Sequence, residues 1–200
     1  GHSTNTMTNT LVLGNFAAQS GPGPTNSTVI GIHAFGNVSG NHPQYVTALG
    51  GYALYGSAST TTGINGAVAI GHQSLYSITS AAGSVAIGYQ ASYALTSGAN
   101  QVSIGYQAGM ALTTAANSTF IGYQAGLEHT GGNNIAIGDR AFYSTNAGSN
   151  SLASTKNVAI GNRALAGTLS DAQVDGTVAL GYYALGNATM GGVDYNIAIG

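Results

Sequence analysis

SVAIGYQA at 84–91 returns as QVSIGYQA at 101–108 and as TFIGYQA at 119–125, and the three glycines stand 17 residues apart. A catalytic site needs one copy of its residues, whereas a structure built by stacking needs many. Aligned on the glycine that follows Ile or Leu, the rest of the chain divides in the same way. Eleven corners appear: Gly14, Gly31, Gly50, Gly71, Gly88, Gly105, Gly122, Gly138, Gly161, Gly181 and Gly200, at intervals of 16 to 23 residues. Positions are numbered here from each corner glycine. Position −1 is always Ile or Leu, position −3 is Val, Ile, Leu or Thr, and position +3 is Ala except at Ser74.

Positions −1 and −3 share one side of an extended segment and are apolar or β-branched, which fits a half-buried strand. Position −2 points the other way and is mostly small (Ala69, Ala86, Ser103, Ala136), with Phe120 as the departure. This pattern predicts an aliphatic column, Ile70 over Ile87, Ile104 and Ile121, turned inward, and a small outer −2 face suited to self-association. The glycine fits a corner at positive φ, where a Cβ would clash. The Ala at +3 then opens a second inward-facing stretch. The apolar runs are three or four residues long and end at glycine, which is too short for a helical period. A unit of this length suits one coil of a parallel β-solenoid with two short strands and two turns. The expectation is an all-β fold of about ten stacked coils over 11–200, rising ~4.8 Å per coil to a rod on the order of 50 Å. Residues 1–10 read as a tag remnant or a lead-in. Extra residues in GSASTTTGING (56–66), TNAGSNSLASTK (145–156) and TLSDAQVDG (168–176) fall at one phase of the repeat. They predict loops on one side of the rod.

Composition narrows the function classes. Charged residues make up 4% of the chain, where about 25% is usual, and residues 1–127 contain none. The net charge of −2 offers no basic field for phosphates, so nucleic acid is not an expected partner. Cysteine is absent, which rules out disulfide and thiolate chemistry. No apolar run approaches the ~18–20 residues of a membrane span, and no signal peptide is visible. No membrane insertion and no cofactor are expected.

Catalytic and metal motifs are missing as well. There is no GxSxG, and the single lysine, Lys156, follows Thr155 rather than a glycine loop. His2, His33, His42, His72 and His129 show no metal-ligand spacing. Asp171 and Asp175 share a loop but have too few acidic neighbours for a cation site. A glycan hydrolase would need paired carboxylates from among Glu128, Asp139, Asp171 and Asp175, and no such pair can be argued. The chain therefore reads as non-enzymatic. The chemically suggestive feature is the pair Tyr89-Gln90, Tyr106-Gln107 and Tyr123-Gln124. Stacked coils would align it as a ladder, either for packing between coils or chains or for contact with sugar hydroxyls.

The motifs SVAIGYQA, NVAIGNRA, NIAIGDRA and AVAIGHQS resemble the head repeats of trimeric autotransporter adhesins of the YadA type. IGYQAG at 104–109 and 121–126 looks still more like repeats of bacteriophage tail-fibre proteins. The resemblance spans residues 11–200. It implies a left-handed parallel β-roll and a homotrimer. It further implies an extracellular location on a virion fibre or bacterial surface, and a glycan or protein receptor. The intervals here are longer than in the adhesin heads, and neck, stalk and anchor are not seen. Because the array stops mid-motif, at Gly200, the chain reads either as a segment of a longer protein or as a subunit of a head-to-tail filament. An ice-binding solenoid is the alternative of another class, but Thr28, Thr47 and Thr119 at −3 do not make a threonine ladder.

Overall fold

A computed structural model describes residues 7–19, 21, 23–39, 42–57, 63–143, 153–167, 173–186 and 194–200. The long-interval stretches at 58–62, 144–152 and 168–172, and with them the expected one-sided loops, lie outside the described residues. So do residues 1–6.

Each corner ends a three-residue strand: β1 (Leu11–Leu13), β2 (Thr28–Ile30), β3 (Thr47–Leu49), β4 (Val68–Ile70), β5 (Val85–Ile87), β6 (Val102–Ile104), β7 (Thr119–Ile121), β8 (Ile135–Ile137), β9 (Val158–Ile160), β10 (Val178–Leu180) and β11 (Ile197–Ile199). The eleven strands form one parallel sheet in sequence order. The register sets like positions over one another, for example Ile87 beside Ile104 and Ile104 beside Ile121. The described residues contain no helix. The molecule is a β-solenoid, and the aliphatic residues form the stacked column that the repeat predicts.

The side on which that column lies is the reverse of the expectation. In β2 to β7 and in β10, position −2 is fully buried while −3 and −1 are only half-buried. Val29, Ala48, Ala69, Ala86, Ser103, Phe120, Ala136, Ala159 and Ala179 all lie inside. The Val, Ile and Leu rows face out, with Ile135 38% and Ile160 39% exposed. The reason is thickness. The coil is so flat that its other half passes directly beneath the strand, leaving room at −2 for little more than a methyl group.

That other half is not a second strand. After the corner, positions +2 and +4 both adopt positive φ, as in Gln73 and Leu75 (57° and 48°) or Arg140 and Phe142 (50° and 52°). Position −5 does the same, in Asn26, Asn100, Asn117 and Asn133 among others. Non-glycine residues meet a cost of roughly 1–2 kcal/mol there. It is offset because the backbone still bonds from coil to coil: Gln90 N–H donates to the His72 carbonyl (3.0 Å) and Ser92 N–H to Ala108 (3.0 Å). The +4 side chains Phe35, Leu54, Leu75, Phe142 and Leu165 fill the interior beside the +3 alanines.

Phe120 shows how tightly the two halves are matched. Its −2 neighbours are small, yet its ring is fully buried. Space for it comes from Gly109 and Gly126, which occupy +4 where most other coils carry Leu or Phe. A Cβ at either glycine would lie 2.8 Å from the Phe120 ring. Both glycines sit near φ +60°, the conformation that Leu54 and Leu75 adopt at the equivalent position. Phe120→Ala should therefore cost about 3–5 kcal/mol, and Gly126→Leu alone should overpack the coil. The double variant should recover a substantial part of both losses in urea denaturation, because the large side chain has merely crossed to the facing position.

A polar column runs inside as well, at −4. The Ser84 Oγ accepts from Gln101 N–H (3.2 Å), the Gln101 Oε1 from Ser118 N–H (3.0 Å) and the Ser118 Oγ from Asn134 N–H (3.1 Å). The Asn134 Oδ1 then accepts from Asn157 N–H (2.9 Å), and the Asn157 Oδ1 from Thr177 N–H (2.9 Å). Each buried amide or hydroxyl thus serves the backbone donor one coil away, which a buried N–H requires.

Candidate functional site

Two surface features stand out once the coil is oriented. The first is the sheet face itself. Rows −1 and −3 spread eleven parallel strands of Val, Ile, Leu and Thr toward the outside, with no ionisable side chain among them. Ordinary soluble proteins keep such contiguous apolar area small.

The second is the corner that follows. Tyr89, Tyr106 and Tyr123 at +1 are 42–44% exposed. Their rings stack at 5.3 Å between centroids, with interplanar angles of 10° and 11°. His72 extends the stack at 5.7 Å, and the Arg140 guanidinium covers Tyr123 at 5.1 Å from its centroid. Beside it, Gln90 Nε2 donates to the Gln73 Oε1 (2.9 Å), Gln107 to Gln90 (3.0 Å) and Gln124 to Gln107 (3.0 Å). Arg140 Nε donates to the Gln124 Oε1 at 3.3 Å. One arginine therefore caps both ladders. All six candidate residues are brought together as the repeat requires. The stacked rings turn their faces to one another, so ring edges, phenol hydroxyls and amides are what the ladder offers outward.

The aromatic column is longer than the three YQ copies indicate. In the first coils it runs through position +2, where Phe16, His33 and Tyr52 stack at 4.9 Å steps. It shifts to +1 at His72, 6.0 Å from Tyr52, because Gly51 leaves +1 empty in that coil. A second column at +5 stacks Tyr55 on Tyr76 (5.2 Å) and Tyr76 on Tyr93 (5.0 Å). Sequence reading overlooked it, since it shares no motif with YQ. Only the constant offset of five from Gly50, Gly71 and Gly88 would have shown it.

Burial, with the neighbouring Tyr93, Tyr55 and Tyr52 adding to it, holds the Tyr76 phenol above the usual tyrosine range. The folded chain thus binds this proton more tightly than the unfolded chain does. The contribution is complete below the ordinary tyrosine range and is lost as pH rises through the raised value. Tyr76→Phe should flatten the alkaline limb of a stability–pH profile while leaving neutral stability nearly unchanged.

The corner glycines make the stacking possible. From Gly14 to Gly181, ten of them hold φ between +121° and +137°. A Cβ on any of these ten would come within 2.8 Å of the next coil's glycine carbonyl.

Among the described residues, no group of three or more His, Asp or Glu side chains could hold a metal ion. Asp175 accepts from Thr155 N–H (2.6 Å) and the Thr155 hydroxyl (3.1 Å), while Asp194 accepts from Asp175 N–H (2.9 Å). Asp139 accepts from Asn162 (3.2 Å). Burial raises the Glu128 carboxyl above its usual range. Asp171 and His2 lie outside the described residues. His33 and His72 are members of the aromatic stack. No described helix is long and apolar enough to cross a membrane. Set against protein families, curated proteins and solved structures, the chain matches none.

Proposed function

We propose that this chain is a non-enzymatic, structural and adhesive segment of an extracellular fibre, assembled as a homotrimer that meets a surface receptor. The observation that carries the reading is the open aliphatic sheet face. Eleven strands of half-exposed Val, Ile and Leu need a cover, and a second copy of the same flat face matches it in period and shape. Burying such rows gains about 25 cal/mol per Å² of apolar area, and an interface repeated along a rod accumulates that gain coil by coil. Three copies follow from the resemblance of the VAIG repeats to trimeric adhesin heads and phage tail fibres. With its aliphatic face covered, each chain would present its aromatic and glutamine ladders at the rim. There neutral hydroxyls and amides suit a glycan or an uncharged protein surface. The near absence of charge supports the same kind of partner over nucleic acid.

Sedimentation equilibrium, joined to electron microscopy of the particle, tests the reading. Trimeric mass with an elongated outline of coil-stack length is expected. A monomer that persists at high concentration would overturn it, and an open-ended filament would replace the trimer with head-to-tail assembly. Thermal hysteresis in the presence of ice is not expected, because the −3 row holds only three threonines: Thr28 beside Thr47, and Thr119 set apart from them by Val68, Val85 and Val102.

A further inference from the structure

We infer that the two tyrosine columns are sites of oxidative cross-linking, in which a one-electron oxidant joins tyrosines on successive coils through carbon–carbon bonds. Four consecutive pairs have the required geometry. Tyr55–Tyr76, Tyr76–Tyr93, Tyr89–Tyr106 and Tyr106–Tyr123 lie 5.0 to 5.3 Å apart with planes within 12° of parallel. Neighbouring rings are therefore held about one coil spacing apart with their planes nearly parallel. The partly exposed rings at 89, 106 and 123 leave their edges open to a soluble oxidant.

The chemistry balances with a peroxide as oxidant. Each phenol gives up one electron and its hydroxyl proton, leaving a neutral radical with spin on the carbons ortho to oxygen. Two radicals on adjacent coils form a bond between those carbons. The hydrogen on each joined carbon then moves to its oxygen as the ring regains aromaticity. Overall two tyrosines lose two protons and two electrons, and these reduce one hydrogen peroxide to two waters. The stacks favour this outcome because a radical on one ring already faces its partner and need not find one by diffusion.

The consequence is mechanical. The chain has no cysteine, so it has no disulfide with which to tie one coil to the next. A bond between tyrosines one coil apart closes a loop of a single repeat, a constraint of the kind a disulfide would impose. Such links would staple the stack along its axis without disturbing the aliphatic face.

The test treats the dilute folded protein with a haem peroxidase and hydrogen peroxide. Dityrosine fluorescence is followed, and linked peptides are mapped by mass spectrometry after elastase digestion. The expected links are the four pairs named, within single chains, accompanied by a rise in melting temperature. Tyr76→Phe/Tyr106→Phe keeps the rings stacked but removes the middle phenol of each column, so it should lose the greater part of the fluorescence. Tyr45 and Tyr195 are the internal control, being 64% and 77% exposed and outside both columns. If links form chiefly through those two, or chiefly between chains, exposure rather than stacking governs the reaction and the inference fails. It also fails if no dityrosine forms, or if the double variant fluoresces like the parent.

Discussion

Gly105→Ala is expected to remove most of the stability of the array, while another positive-φ glycine, in open space, tolerates replacement. At Gly105 φ is +137°, and a Cβ would stand 2.3 Å from the Gly122 carbonyl oxygen and 2.7 Å from its carbon. The obstacle is the backbone of the next coil, which cannot move aside without breaking the Gly122 N–H bond to the Ile104 carbonyl (2.8 Å). Backbone strain of about 1–3 kcal/mol adds to overpacking of about 1–3 kcal/mol, and the clash recurs nowhere else to share the load. Gly66 is the contrast. Its φ is +71°, nothing lies within 4 Å of its Cβ position, and other coils place Asn26 or Asn100 at the same phase. Gly66→Asn should change stability by less than about 1 kcal/mol. Thermal and urea unfolding of both variants decides the matter. A Gly105→Ala protein as stable as its parent would mean that the corner glycines do not abut.

Ile87→Lys/Ile104→Lys should abolish assembly and leave each chain folded. Both side chains point out of the coil, where they are half-buried against their neighbours in the free chain. An ammonium there remains hydrated until a second copy tries to cover it. Trapping it between aliphatic faces without a partner costs several kcal/mol per charge (~2–7 on transfer scales even for neutral polar groups). Sedimentation should then report single-chain mass, with the circular dichroism of the parent. The same pair of lysines separates two geometries. If the Ile column faced inward, as the hydrophobic pattern alone invites one to think, the variant would unfold instead of dissociating. Ala86→Leu or Ala159→Leu gives the mirror result, because −2 is the side with no spare volume.

How much of this was legible beforehand can be read from particular positions. The corner glycines announce themselves, since ten of eleven hold a backbone angle that only glycine adopts readily, and Ile or Leu precedes every one. The YQ ladder was equally visible: residues at equal offsets in stacked coils must align, and the stacking and amide bonds between Tyr89, Tyr106 and Tyr123 and between Gln90, Gln107 and Gln124 follow from that. The +5 tyrosine column escaped notice because its three members stand in different local contexts, ALYG, SLYS and ASYA, with no motif common to all. The −4 column escaped because serine, glutamine and asparagine look unrelated until each is seen to accept from a backbone donor one coil away.

By itself, then, the amino-acid sequence determined the period, the in-register parallel stacking and the corners, because a local pattern repeated eleven times leaves one way to superpose its copies. Only the tertiary structure decided which face of the strand lies inside. Both faces are apolar, so hydrophobicity cannot choose between them. The choice is steric, made by the half-coil packed beneath, which admits Ala86 or Ala136 but not an Ile, and admits Phe120 only where Gly109 and Gly126 stand across from it. The same crowded half-coil forces its +2 and +4 residues to positive φ, a conformation that Gln107 or Leu75 would not adopt on local preference and that hydrogen bonds from neighbouring coils impose.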